Sequence, residues 1–140
     1  MTSRRAARRV AVDILYQADL TGAAPLDVAD GWAEAGREVS SFSRELVGGV
    51  AEHQPEIDLL LAQHSEGWTV ARMTPVDRTI LRVAVCELLW RDDIPDSVAI
   101  SEAVEAAAEL SAEDAKGFVN GILGRIAREE RGQDRGRASS

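Results

Sequence analysis

Apolar residues recur at intervals of three and four along most of this chain, and no stretch alternates apolar and polar positions with period two. The pattern predicts helices throughout and no sheet. A first helix runs from Ser3 to Leu20 and stops at Thr21-Gly22. Pro25 opens a short second helix over 26–35, closed by Gly36. A third begins near Ser41, carries Gly48-Gly49 inside it and ends before Pro55. Pro55, in the first helical position, then starts a fourth over 56–64, whose apolar face is Ile57, Leu60 and Leu61. Gly67-Trp68 is a break.

The clearest start signal is Thr74-Pro75-Val76-Asp77, which combines an N-cap threonine, a proline at the first helical position and an acid at the third. The helix it opens, to about Arg91, is apolar nearly all round through Ile80, Leu81, Val83, Ala84, Val85, Leu88 and Leu89, as expected of the centre of a bundle. Its one polar stripe carries Arg78 and Arg82, four residues apart and expected to face water. Asp92-Asp93-Ile94-Pro95 ends this helix, and Asp96 or Ser97 can cap the next, over 98–110. Ser111-Ala112-Glu113-Asp114 has the form of a capping box for a last helix reaching about Glu130. Gly121 and Gly124 inside that helix weaken it by about 1 kcal/mol each, a cost tolerable where a neighbouring backbone, such as the alanine-rich 103–108 segment, comes close. These elements make an all-α bundle of about seven helices. A single domain over 1–131 is expected, with a polar, disordered tail at 132–140.

Charge changes the picture at one end. The first nine residues hold Arg4, Arg5, Arg8 and Arg9 and no acid, whereas Val10–Gly124 holds 21 acids and 7 bases, and the whole 140-residue chain has a net charge of −8. An acidic body with one cationic tip attracts a polyanion locally and repels it elsewhere. With Arg5 set at zero on a helical projection, Arg9 falls at about 40° and Tyr16 at about 20°, opposite an apolar stripe (Ala7, Val10, Ala11, Ile14, Ala18) centred at about 190°. Guanidinium groups for phosphates beside a ring for a base suit single-stranded nucleic acid. A solvated N-terminus and an ordinary exposed tyrosine are the competing reading of the same residues.

Other chemistry is thin. His53 and His64 stand eleven positions apart with no paired cysteine or histidine, which argues against a metal site, and both are expected on the polar surface near helix ends. Gly48-Gly49 lacks the lysine of a phosphate loop, and no Gly-x-Gly-x-x-Gly occurs, so neither a nucleotide cofactor nor a catalytic role is expected. Cys86, the only cysteine, sits among Val83, Ala84, Val85 and Leu88 as a small buried hydrophobe, and one cysteine fits a reducing, cytoplasmic setting. No apolar run approaches the length of a membrane span, and Ala6–Leu20 is interrupted by Arg8, Arg9, Asp13 and Asp19, unlike a signal peptide.

Four segments resemble the NusB family: the opening Arg4-Arg5-Ala6-Ala7-Arg8-Arg9-Val10-Ala11-Val12-Asp13-Ile14-Leu15-Tyr16-Gln17, the central stretch from Val76 to Leu88, the stretch from Ile94 to Glu105, and Phe118-Val119-Asn120-Gly121-Ile122-Leu123. Order and spacing match over about residues 3–128. The resemblance implies two small helical sub-bundles and a non-enzymatic role in transcription antitermination. It implies binding of single-stranded boxA RNA together with the ribosomal protein S10 (NusE), within the RNA polymerase antitermination complex that supports ribosomal RNA operons. On that resemblance the RNA side comprises Arg4, Arg5, Arg8, Arg9 and Tyr16, with Phe118 and Lys116 added, while Asp77, Arg78 and Arg82 meet the protein partner. Phe118 is equally compatible with plain core.

Two positions depart from the family's usual pattern. Ser101 stands where many members have Asn, and Gly117 stands before the Phe where many have a basic residue. Three alternatives stay open: a homodimeric interaction module without nucleic acid, an RNA-targeting domain related to ribosomal RNA methyltransferases, and a helix-turn-helix regulator. Length and the missing cofactor loop argue against the methyltransferase, and the terminal position of the basic residues argues against the regulator.

Overall fold

The computed structural model describes residues 3–138, with side chains described as far as Gly132. Six α-helices follow one another: α1 (Arg4–Thr21), α2 (Pro25–Glu34), α3 (Ser41–His64), α4 (Pro75–Trp90), α5 (Asp96–Leu110) and α6 (Ala115–Ala138), with a 3-10 turn at Val70–Arg72. Most boundaries follow from capping chemistry. Ser3 Oγ accepts from the Ala6 amide, Ser40 Oγ from Ser43 and Thr74 Oγ1 from Asp77, each satisfying an amide that the first turn leaves without a partner. Gly22, at φ 75°, ends α1 by donating its amide to the Ala18 carbonyl.

Among the described residues the count is six helices and not seven, because α3 runs straight through Pro55. An interior proline costs about 3 kcal/mol. Leu46, Val50, Ile57 and Leu61 nevertheless lie on one continuous buried face of α3, so burial of Ile57 and Leu61 outweighs the local break. Two further expectations are corrected. Ser111 does not cap α6; its hydroxyl donates to Asp77 Oδ1 and ties the end of α5 to the start of α4. In addition, α5 begins at Asp96, two residues before the expected start. The last helix continues to Ala138, through most of the segment expected to be a disordered tail, and Ser139 and Ser140 lie outside the described residues.

Packing divides the molecule into α1–α2–α3 and α4–α5–α6, and α4 joins the two groups because it also lies against α1 and α3. Every residue of α4 from Thr79 to Leu88 is buried. The apolar core therefore surrounds α4, with Ile14, Leu46, Val50, Ile57, Leu61, Ile122, Leu123 and Ile126 supplied by its neighbours.

The close backbone approach expected at Gly121 and Gly124 is found elsewhere. A Cβ on those two glycines would meet only arginine tips of their own helix, Arg125 and Arg128. A Cβ on Gly49 would lie 2.7 Å from Cys86 Sγ, so the missing side chain at Gly49 is what lets α3 seat against α4. The same enclosure makes Cys86 the buried hydrophobe expected, and burial pushes its thiol up to about 11.

Gly49→Ala is expected to destabilise the fold by about 1–3 kcal/mol through overpacking. Adding Cys86→Ala, which removes the atom struck, should make the double variant lose less than the sum of the two singles in urea denaturation.

Candidate nucleic-acid interface

The capped start of α1 places four arginines within two turns of a helix N-terminus, where the helix dipole disfavours positive charge. Acids from the second half of the chain offset this. Arg4 reaches Asp93 at 3.0 Å. Arg5 holds Glu102 through Nε and Nη2, both at 3.0 Å. Arg9 reaches Glu109 at 2.7 Å and Asp13, one turn on, at 3.8 Å. These pairings make α1 and α5 neighbours along a shallow groove. Arg5, Arg9, Glu102, Glu105 and Glu109 form its polar rim, and Val12, Ile80 and Ala106 lie among its apolar walls. The hydrogen bond from Arg5 holds the Glu102 carboxyl below the usual glutamate range, and the bonds from Arg91 and Arg4 do the same for Asp93.

Arg8 is different. It was expected on the RNA-facing side, yet it is buried, with Nε 2.7 Å from Glu87 Oε1. The apolar arc of α1 is wider than the stripe used for the projection: Val12 and Leu15 are buried as well, and Arg8 lies between them on the wheel. Those two side chains are the sequence signal that could have turned Arg8 inward. Burial holds the Glu87 carboxyl above the usual glutamate range, against the downward pull of Arg8. Phe42 completes this corner: the guanidinium carbons of Arg4, Arg8 and Arg91 lie 4.6, 5.4 and 5.2 Å from its ring centre.

Tyr16 is half-buried on the same side of α1 as Arg5 and Arg9. Lys116 is exposed in the first turn of α6. Phe118 is half-buried against the core and borders a second groove with Ser65, Trp68, Gly121 and Arg125. Trp68, 54% exposed, lines the same groove as Phe118, an aromatic feature that no periodic pattern in the sequence marks.

The polar stripe of α4 does not face water as expected. Arg82 is only 8% exposed, holds Asp58 through two 2.9 Å bonds and reaches Asp19 at 3.3 Å. Arg78 donates to the same Asp19 carboxylate at 3.0 and 2.7 Å and to the Met73 carbonyl at 3.1 Å. The stripe therefore fastens α1 and α3 to α4, while Asp77 accepts from Ser111. Neither histidine is plain polar surface. His64 is buried with Nε2 3.4 Å from Glu129, and His53 stacks on Trp90 with ring centres 3.9 Å apart. Among the described residues no group of three His, Cys, Asp or Glu could hold a metal ion. No helix there is long and apolar enough to cross a membrane.

Comparison with known proteins adds to this geometry. The model of the NusB family matches residues 5–128. The chain is 48% identical to the transcription antitermination protein NusB of Leifsonia xyli, over 91% of this chain and 92% of that one. It is 47% identical to the NusB of Salinispora tropica, over 91% and 96%. Among solved structures, T. maritima NusB superimposes with a TM-score of 0.84 at 34% identity, covering 91% of this chain and 92% of that chain. A structure of the antitermination factors NusB and NusE in complex with dsRNA matches with a TM-score of 0.79 at 27% identity, covering 90% and 96%.

Removing one partner of a buried ion pair strands the other, so Arg8→Ala or Glu87→Ala is expected to cost about 3–5 kcal/mol in urea denaturation. Arg5→Ala and Arg9→Ala, at pairs open to water, should leave the urea midpoint close to that of the parent. The lowered Glu102 carboxyl contributes stability that is present above the ordinary glutamate range and is lost as pH falls through its folded value. In an NMR titration Glu102 should deprotonate below that range, and Arg5→Ala should return it there.

Proposed function

The chain belongs to the NusB family, and from that premise we propose that it is a transcription antitermination factor that binds boxA-type single-stranded RNA together with the ribosomal protein NusE. NusB antitermination factors are not enzymes, and the proposed role is one of binding alone. It acts in the cytoplasm within the RNA polymerase antitermination complex and supports transcription of ribosomal RNA operons.

The observation that carries this reading is the placement of Arg5, Arg9 and Tyr16 along one accessible side of α1. Guanidinium forks match phosphate oxygens, and an aromatic face beside them accepts an unstacked base. Arg4 lies at the same end over Phe42 and adds positive charge there. Arg8 serves the same face indirectly, by holding α1 on α4. Lys116, exposed in the first turn of α6, and the half-buried Phe118, on the second groove, are the further RNA-side candidates. For the protein partner, Asp77 and Arg78 are half-buried at the edge of α4, and the more deeply buried Arg82 stands behind them, sharing the Asp19 carboxylate with Arg78.

Tyr16→Ala is expected to weaken boxA RNA binding by about 1–3 kcal/mol, and NusE should tighten binding by both parent and variant. Filter binding with the RNA alone and with NusE checks this. RNA affinity untouched by the variant would remove Tyr16 from the interface. A stable homodimer indifferent to RNA and to NusE would favour a purely structural role.

A further inference from the structure

The exposed arginines of α1 are already occupied. Arg5 grips Glu102 with both arms of its fork, and Arg9 reaches Glu109 at 2.7 Å. Glu102, Glu105 and Glu109 stand three and four residues apart on α5, so they share the face turned to α1 across the groove. A carboxylate held by both guanidinium nitrogens fills the same fork that would hold two phosphate oxygens. Arg5 is 68% exposed over a Glu102 that is 17% exposed, Arg9 and Glu109 are 40% and 60% exposed, and ion pairs that open to water on at least one side add little to stability. The buried Arg8–Glu87 pair does the anchoring instead. The energetic consequence of the rim acids therefore falls on the incoming ligand, because each phosphate must displace a carboxylate before it can reach an arginine.

We infer that Glu102 and Glu109 are specificity-determining residues of the RNA face, acting as resident phosphate mimics that screen out polyanions offering only backbone charge. A strand that also places a base on Tyr16 gains enough to displace them, whereas a strand without that contact does not. The inference rests on the RNA reading of α1 given above. It also has a signature in salt dependence. A phosphate arriving at a free guanidinium releases a condensed cation. When the guanidinium must first leave a carboxylate, the freed acid attracts a cation, and net release is smaller.

The test uses the full chain with two single-stranded RNAs of equal length, one containing boxA and one scrambled, titrated across a range of salt. Glu102→Gln combined with Glu109→Gln is expected to tighten the scrambled RNA by about two- to fivefold per acid removed. The boxA RNA should gain less, so discrimination narrows. The slope of log K against log salt should steepen by up to about 0.7 per acid. Glu109→Gln alone changes a group at the surface and should give part of the same effect with an unaltered melting curve. Unchanged or weaker binding by these variants, with an unchanged slope, overturns the inference. Arg5→Ala with Arg9→Ala separates the two levels. If it weakens binding while the glutamine variants change nothing, the RNA face stands and the screening role falls. If it leaves both RNAs and the slope untouched, α1 is not the RNA face and both fall.

Discussion

Arg8 and Glu87 meet at 2.7 Å inside the molecule, where Glu87 is 1% exposed and Arg8 9%. Two charges removed from water hold together only when their geometry is good and the alternative partners are gone, and here α1 and α4 supply one charge each. The pair fixes both the register of α1 along α4 and its rotation about its own axis. With Arg8 turned inward, Arg5 and Arg9 necessarily look toward α5 and Tyr16 follows them. At the far end of α1, Asp19 receives Arg78 and Arg82 from the same helix α4. The helix that carries the candidate interface is thus clamped at both ends by charges on the most buried helix of the fold.

This arrangement gives the charge imbalance a local meaning. The cationic tip is embedded in acids that it pairs with: Asp93, Glu102 and Glu109 outside, Glu87 inside. The inner pair is structural, and the outer ones are exchangeable. Between them lies Phe42, whose face is shared by three guanidiniums and joins Arg4, on the surface, to the buried corner. A face built on a rigid helix with exchangeable partners is well suited to a ligand that is itself a chain of anions.

Much of the fold was legible because helices announce themselves through caps and periodicity. Ser3, Thr74-Pro75 and Gly22 mark boundaries that the structure reproduces. The break expected at Pro55 does not occur because the cost of a proline is local, while the benefit of burying Ile57 and Leu61 depends on helices distant in sequence. The site was legible in part for the same reason. A helical projection placed Arg5, Arg9 and Tyr16 correctly relative to one another, but the partners of Arg8, Arg82 and Arg78 come from other helices, and no local pattern reveals an ion pair across 79 or 24 residues. Trp68 carries no such signal because it lies in an irregular segment, where periodicity says nothing about which face a ring presents.

Labour is divided within one helix: Arg8 is buried against Glu87, while Arg5 and Arg9, on the accessible side, are the proposed RNA contacts. Side-chain nitrogen NMR of the arginine Nε–H groups during titration with a short boxA RNA tests this division most directly. The Nε signals of Arg5 and Arg9 should move with added RNA while that of Arg8 stays in place. A titration that shifts Arg8 and leaves Arg5 and Arg9 unmoved would contradict the account.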